Sequence, residues 1–360
     1  MESLVMSSQF WNDKIVLLTG HTGFKGSWMS LWLQKLGATV IGFSKDIPTN
    51  PSLFEIAKVD SGMTSIFGDV CDYNILERTI QKFKPQIIIH MAAQAILRQS
   101  YKNPTETFAT NVMGTVNVLE AVRNTKTVKT ILNVTSDKCY ESSNLSHSYV
   151  ETDAMGGFDP YSSSKGCAEL VTSAFRNSFF NVQEFNRHGV SVATARAGNV
   201  IGGGDWGVDR LIPDIVRSLI GKKQILIRYP NATRPWQYVL DVINGYTILI
   251  ENLWRNGPEF AEAWNFGPTR NEIKPVDWLV TKMMDLFDEK IEISYDTATK
   301  PYESSYLSLN CSKASSRLKW SSKLNLDEAL SWTAEWYRHY KNGLDMRKFS
   351  QEQINRFIQL

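Results

Sequence analysis

Residues 14–26 read KIVLLTGHTGFKG. Lys14–Thr19 is an aliphatic run of strand length, and it stops abruptly at Gly20, Gly23 and Gly26, spaced G-x-x-G-x-x-G. Trp28–Leu36, which follows, suits a helix. A glycine turn between strand and helix lets backbone approach a pyrophosphate, and the helix N-terminus adds N–H donors and the positive end of its dipole. Gly20, His21, Thr22, Gly23, Phe24, Lys25 and Gly26 are therefore a candidate dinucleotide-binding loop. The alternative is a tight turn without a ligand, which the strand–loop–helix context disfavours.

The same alternation continues outward. Apolar runs at Thr39–Phe43, Met63–Phe67, Ile87–Met91, Thr130–Thr135 and Ser191–Ala195 predict strands. Asn74–Phe83, Thr105–Asn124 and Ser163–Phe180 predict helices between them. Continuous Ile/Val/Leu runs separated by helices indicate an α/β fold: a doubly wound, Rossmann-type parallel sheet covered on both faces, with ligands at the carboxyl ends of its strands. The pattern loosens after Ala197. Gly202, Gly203 and Gly204 read as a flexible loop, and Arg210–Ile220, Val239–Leu253 and Leu324–Tyr340 as helices. The expected division is a dinucleotide-binding domain over 1–197, rejoined by about 238–267, and a smaller C-terminal substrate lobe from 198–237 and 268–360.

Composition narrows the function. The 360 residues suffice for two domains. Lys and Arg total 39 against 37 Asp and Glu, so there is no basic excess for nucleic acid. No apolar run approaches the ~20 residues of a membrane span, and MESLVMSSQFWNDK lacks the leader pattern of a signal peptide. Cys71, Cys139, Cys167 and Cys311 follow no metal or disulfide spacing. A reduced, cytoplasmic protein with no metal site and no membrane or nucleic-acid partner is expected.

An acidic side chain at the end of the second strand ordinarily receives the adenosine ribose. Gly42-Phe43-Ser44-Lys45-Asp46 offers Ser44 or Asp46 there, which favours NAD over NADP, while Lys45 is a cation suited to a 2′-phosphate. Asp69 reads equally as an adenine-edge contact or as a helix cap. Tyr161-Ser162-Ser163-Ser164-Lys165 places a phenol and an ammonium four residues apart, on one helix face. A phenol titrates near ~10, and a neighbouring cation favours the phenolate. Tyr161 is thus expected to take an alcohol proton as hydride leaves the carbon, with Lys165 and the positive nicotinamide ring together lowering its pKa.

Together with Ala92-Ala93-Gln94, Asn111 in TNVMGTVNVLEA, Arg196-Ala197-Gly198-Asn199-Val200 and RPWQYV (234–239), these segments resemble the extended short-chain dehydrogenases/reductases, and among them the nucleotide-sugar 4,6-dehydratases. GHTGFKGSW, PTNPSLFE, TSDKCYE, GGFDPYSSSKGCAEL and ARAGNVIGGGDW are most similar to the branch acting on CDP-glucose. The resemblance covers almost the whole chain. It implies NAD as cofactor, with Ala92, Ala93, Gln94 and Asn111 joining its site, and it implies that Ser136 helps Tyr161 hold the reacting hydroxyl. Asp137 then protonates the departing 6-hydroxyl and Lys138 removes the proton at position 5; the reverse assignment is the alternative. A lysine base must first lose its proton, which burial or a cationic neighbour promotes.

By the same resemblance Arg234 meets the diphosphate or the nucleotide ribose, and Asn199 the sugar-side phosphate. Arg98 either reaches the sugar or cofactor phosphates or lies on the surface. Asp205, Trp206 and Arg210 belong to the base pocket, Trp206 stacking on the base or anchoring the packing, and Tyr306 belongs to the sugar pocket. Arg196 is expected to be structural. The implied reaction converts CDP-glucose to CDP-4-keto-6-deoxyglucose, on the way to the 3,6-dideoxysugars of bacterial O-antigen lipopolysaccharide. A homo-oligomer, dimer or tetramer, built through Thr105–Asn124 and Ser163–Phe180 is expected. His21 and Lys25 depart from the small or apolar residues usual in the loop: Lys25 places a cation near the pyrophosphate and His21 either crowds the dinucleotide or donates to it, predicting altered, weaker NAD binding. The competing readings are a nucleotide-sugar 4-epimerase, which needs no acid/base pair at 137 and 138, a 4,6-dehydratase for another base, and a non-catalytic dinucleotide sensor.

Overall fold

The computed structural model describes residues 9–141, 147–268, 273–296 and 307–360. The chain first alternates strand and helix: β1 (Ile15–Thr19), α1 (Phe24–Lys35), β2 (Thr39–Ser44), β3 (Thr64–Phe67), α2 (Tyr73–Phe83) and β4 (Ile87–His90). It continues through α3 (Gly114–Arg123), β5 (Thr130–Val134), α4 (Pro160–Ser178) and β6 (Ser191–Ala197). Beyond these come β7 (Asn199–Ile201), α5 (Leu211–Gly221), β8 (Ile225–Ile227), β9 (Thr233–Tyr238), α6 (Val239–Phe260) and β10 (Ala263–Phe266). β11 (Ile273–Pro275), α7 (Val276–Phe287), β12 (Ile293–Tyr295), α8 (Leu326–Lys341) and α9 (Met346–Gln359) complete the set used below.

Seven strands form one parallel sheet in the order β3-β2-β1-β4-β5-β6-β10. β4, β5 and β6 are buried along their whole length, as strands covered on both faces must be. Helices α1 and α6 cover one face, with Trp28, Leu33, Leu132 and Leu249 in its core. Helices α2 and α3 cover the other, over Leu17, Ile41, Ile88 and Val118. Strand order reverses between β1 and β4, and a crevice opens at their carboxyl ends. Two small sheets, β11-β9-β7 and β12-β8, stand beyond that edge. No described helix is long and apolar enough to cross a membrane.

Three local expectations need correction. The helix foreseen over Thr105–Asn124 is broken: Pro104–Phe108 is helical, Ala109–Met113 forms a π turn, and α3 resumes at Gly114. Widening by one residue turns Asn111 inward, where its side chain finds buried partners. Gly202–Gly204 is not an open surface loop. The three glycines are buried because Val239 closes on Gly202, Trp336 on Gly203 and Leu53 on Gly204, and a Cβ on Gly203 would lie 2.0 Å from Trp336 Cγ. Finally α6 runs past Leu253 to Phe260, with a break at Asn256, and delivers β10 into the main sheet beside β6.

Candidate active site

A cavity of about 700 Å³ occupies the crevice at the carboxyl ends of the strands. Gly20, Thr22, Gly23, Phe24, Lys25 and Gly26 line it from below α1, and Ser44, Asp46 and Asp69 from the ends of β2 and β3. Ala92, Ala93 and Gln94 line it after β4. The loop fits a dinucleotide. Gly20 holds φ +76°, and a Cβ on Gly26 would stand 2.0 Å from the Gly20 carbonyl oxygen, so only glycines allow the turn to bring its backbone to the cavity.

Two residues assigned to the cofactor do not line the cavity. His21 turns away beneath the loop: its ring hydrogen-bonds Ser44 Oγ at 2.8 Å and Ser65 Oγ at 2.7 Å and packs edge-on against Phe54. Burial pushes its pKa down to about 4, so it is a neutral strut between the loop and β2–β3 rather than a group crowding the dinucleotide. Its ring fits because residue 42 is glycine, where a Cβ would come within 2.4 Å of it. Asn111 is likewise a buried tie. Its Oδ1 accepts the Gln94 N–H at 2.8 Å, and its Nδ2 donates to the Gln94 carbonyl at 3.0 Å and to Ser164 Oγ at 2.8 Å. It thereby fastens the loop after β4 to α4.

Ser136, Asp137, Lys138, Tyr161 and Lys165 converge on the cavity. Ser136 caps a 3-10 turn over Asp137–Cys139, accepting the Lys138 N–H at 3.2 Å, and donates to Asp137 Oδ1 at 3.1 Å. Asp137 is 2% exposed and its Oδ2 has no hydrogen-bond partner. Burial raises its pKa to about 6, against the opposing pull of Lys138, Arg234 and Lys25. Tyr161 enters α4 at its first turn, and Ser136 hydrogen-bonds its phenol. The expected lowering of that phenol is not found in the protein alone. Burial dominates and raises it to about 12, while the ammonium of Lys165, also buried, falls to about 7 under desolvation and the charge of Lys25. Lys25 itself drops to about 8 by burial and by Arg210, within the fields of Asp137 and Asp205. Its charge thus acts on the reaction side of the cavity, which its place in the glycine loop did not announce.

Behind the site a buried ion pair fixes the strand ends. Glu169, one turn after Lys165 on α4, meets Arg196 at 2.8 Å and accepts hydrogen bonds from Thr135 and Thr194. Arg196 also donates to the Tyr140 hydroxyl at 2.8 Å. It is structural, as expected, and Glu169 is the partner that sequence reading missed.

The residues expected to hold substrate come from the outer elements. Asn199 on β7 and Arg234 on β9 lie on paired strands and face the cavity. Asp205 and Arg210 line it as an ion pair at 3.1 Å, and the Gly207 N–H also reaches Asp205 at 3.0 Å. Trp206, 6% exposed, packs edge-on against Tyr337 and Tyr340, which anchors it in the wall of the cavity it lines. Arg98 lines the cavity and pairs across its mouth with Asp209 at 3.7 Å. Asp209 also meets Arg228, a cavity residue the sequence did not single out, at 2.7 Å. Tyr306 lies outside the described residues.

A glycine loop at a strand-order reversal, with serine, tyrosine and lysine gathered beyond it, defines the site of an extended short-chain dehydrogenase/reductase. A sequence model of the GDP-mannose 4,6 dehydratase family matches residues 17–333, and the chain belongs to that family. It is 48% identical over 354 residues to a CDP-glucose 4,6-dehydratase of Salmonella typhimurium, covering 98% of this chain and 99% of that one. A dTDP-glucose 4,6-dehydratase of Haemophilus influenzae is 23% identical, over 89% of this chain and 97% of its own. Among solved structures, UDP-glucose 4-epimerase of Thermotoga maritima with UDP-glucose superposes with a TM-score of 0.77 at 22% identity, covering 91% and 99% of the two chains. dTDP-glucose 4,6-dehydratase of Bacillus anthracis in complex with NAD gives 0.75 at 23%, over 92% and 98%.

Proposed function

We propose that this enzyme is an NAD-dependent hydro-lyase converting CDP-glucose to CDP-4-keto-6-deoxyglucose. The observation that carries the reading is Asp137: a buried carboxyl with a pKa near 6 and one unpartnered oxygen, beside the Ser136–Tyr161 pair. An epimerase needs no such acid. The near full-length identity to the Salmonella enzyme supports the base and sugar.

NAD, held by the Gly20–Gly26 loop and by Ser44 or Asp46, would supply the hydride acceptor for oxidation at C4 and the hydride donor for reduction at C6. Ser136 and Tyr161 hold the 4-hydroxyl, and Tyr161 takes its proton, with the charge of Lys165 favouring the phenolate. The resulting 4-ketone makes the C5 proton acidic; Lys138 removes it and returns a proton to C5 once C6 has been reduced. Asp137, still partly protonated near pH 6, gives its proton to the departing 6-hydroxyl, which leaves as water. Arg234 meets the diphosphate or the nucleotide ribose and Asn199 the sugar-side phosphate; Arg98 reaches the sugar or the cofactor phosphates, and Asp205 and Arg210 border the base. The sugar lobe comprises 198–237 and 268–360, set against a dinucleotide domain of 1–197 and about 238–267.

The product suits a route to 3,6-dideoxysugars of surface polysaccharide, made in the cytoplasm. A homo-oligomer is supported by apolar residues left exposed near and along α3 and α4: Met113 at 50%, Leu170 at 59% and Phe179 at 42%. The test is CDP-glucose deuterated at C4. Deuterium in the 6-methyl group of the product is expected; a product that keeps its 6-hydroxyl refutes the assignment.

A further inference from the structure

We propose that Glu106 and Asp69 hold Lys45 in a clasp at the adenosine end of the cavity, and that this clasp makes the site reject a dinucleotide carrying a 2′-phosphate. The inference rests on reading the cavity as an NAD site. Lys45 and Asp46 directly follow β2, whose end in this fold receives the adenosine ribose. By itself Lys45 is the kind of cation that welcomes a 2′-phosphate. In the structure its Nζ lies 3.4 Å from Asp69 Oδ2 and 3.5 Å from Glu106 Oε1.

The two carboxylates reach it from different walls. Asp69 follows β3 and is held in place by the Cys71 N–H at 2.9 Å, while Glu106 sits in the short helix Pro104–Phe108. All four side chains line the cavity. Asp69 and then Glu106 keep the lysine charged, and, although burial opposes it, the Cys71 N–H and Lys45 keep Asp69 ionised. Asp46, Asp69 and Glu106 therefore set three negative charges against the single positive charge of Lys45. A phosphate monoester would add roughly two more negative charges. Lys45 is 57% exposed, so neither ion pair stabilises the fold by much. The charge balance still acts on an arriving anion, because it depends on the sum of nearby charges and not on one geometry. Glu106 is the member that lies off the strand ends that bind adenosine: Asp46 and Asp69 already exceed the charge of Lys45, and Glu106 adds a third negative charge and a second ion pair to the lysine.

Calorimetric titration of the purified full-length chain with NAD⁺ and, separately, with NADP⁺ tests this. The unaltered chain is expected to bind NAD⁺ and to bind NADP⁺ far more weakly. Glu106→Gln is expected to tighten NADP⁺ about fivefold to tenfold and to leave NAD⁺ within about twofold, as expected for removing one partly screened charge beside a dianion. In the double variant Glu106→Gln/Lys45→Ala the gain over the unaltered chain should vanish, because loss of the ammonium restores the original net charge of the cluster. An unchanged NAD⁺/NADP⁺ ratio in Glu106→Gln, or a gain that survives the loss of Lys45, overturns the clasp. If the unaltered chain binds no NAD⁺, the cofactor reading itself falls.

Discussion

Replacing Asp137 by asparagine should make the protein more stable and nearly inactive. The carboxyl is 2% exposed and lacks a partner for Oδ2, and its pKa stands at about 6 against 3.8 for a free aspartate. That difference corresponds to about 3 kcal/mol. The folded-state pKa is raised, so the folded chain holds the proton more tightly than the unfolded one. The resulting destabilisation is absent below about pH 4, grows between pH 4 and 6, and is complete above pH 6. An asparagine side chain carries no charge and escapes it. Unfolding by urea, followed by circular dichroism at pH 8 and at pH 4.5, should show Asp137→Asn more stable by about 2–3 kcal/mol at the higher pH and by only about 1 kcal/mol at the lower. Turnover should fall by about 10²–10⁴, the usual worth of a positioned acid. A variant no more stable at pH 8, or a stability difference independent of pH, would refute the claim that burial governs this carboxyl; wild-type turnover would remove it from the chemistry.

Gly42→Ala should destabilise by about 1–3 kcal/mol, because the added methyl meets the His21 ring at 2.4 Å and Met63 Cε at 2.5 Å; combined with His21→Ala, which removes the ring and its hydrogen bonds, it should cost less than the sum of the two single losses in thermal unfolding. Glu169→Ala strands Arg196 in the core and should cost about 3–5 kcal/mol, whereas replacing both, Glu169→Leu with Arg196→Met, should cost clearly less. Lys138→Ala should slow elimination far more than the initial oxidation. Single-turnover absorbance of the reduced nicotinamide separates the two steps, and equal slowing would exclude Lys138 as the base.

The glycine loop, the alternating strands and the Tyr161–Lys165 pair were legible because each is a local pattern. Strand length, helical spacing and a turn that only glycine tolerates are written within a dozen or so neighbouring residues. The segments after Ala197 were read less well. β7, β9 and β11 are short strands paired across long stretches of chain, and their formation depends on partners rather than on composition. The broken helix before α3 escaped for a similar reason: the π turn exists to bring Asn111 to Gln94 and Ser164, contacts that no helical periodicity encodes.

From its amino acids alone, this chain declares a Rossmann-type sheet, a phosphate loop and a tyrosine–lysine pair, since all three follow from near-neighbour geometry. Only the folded molecule decides that His21 faces inward, that Lys45 is matched by Asp69 and Glu106, and that the carboxyl of Asp137 titrates near pH 6. Those outcomes depend on desolvation and on charges brought together from distant segments, and such distances do not exist until the sheet has closed over them.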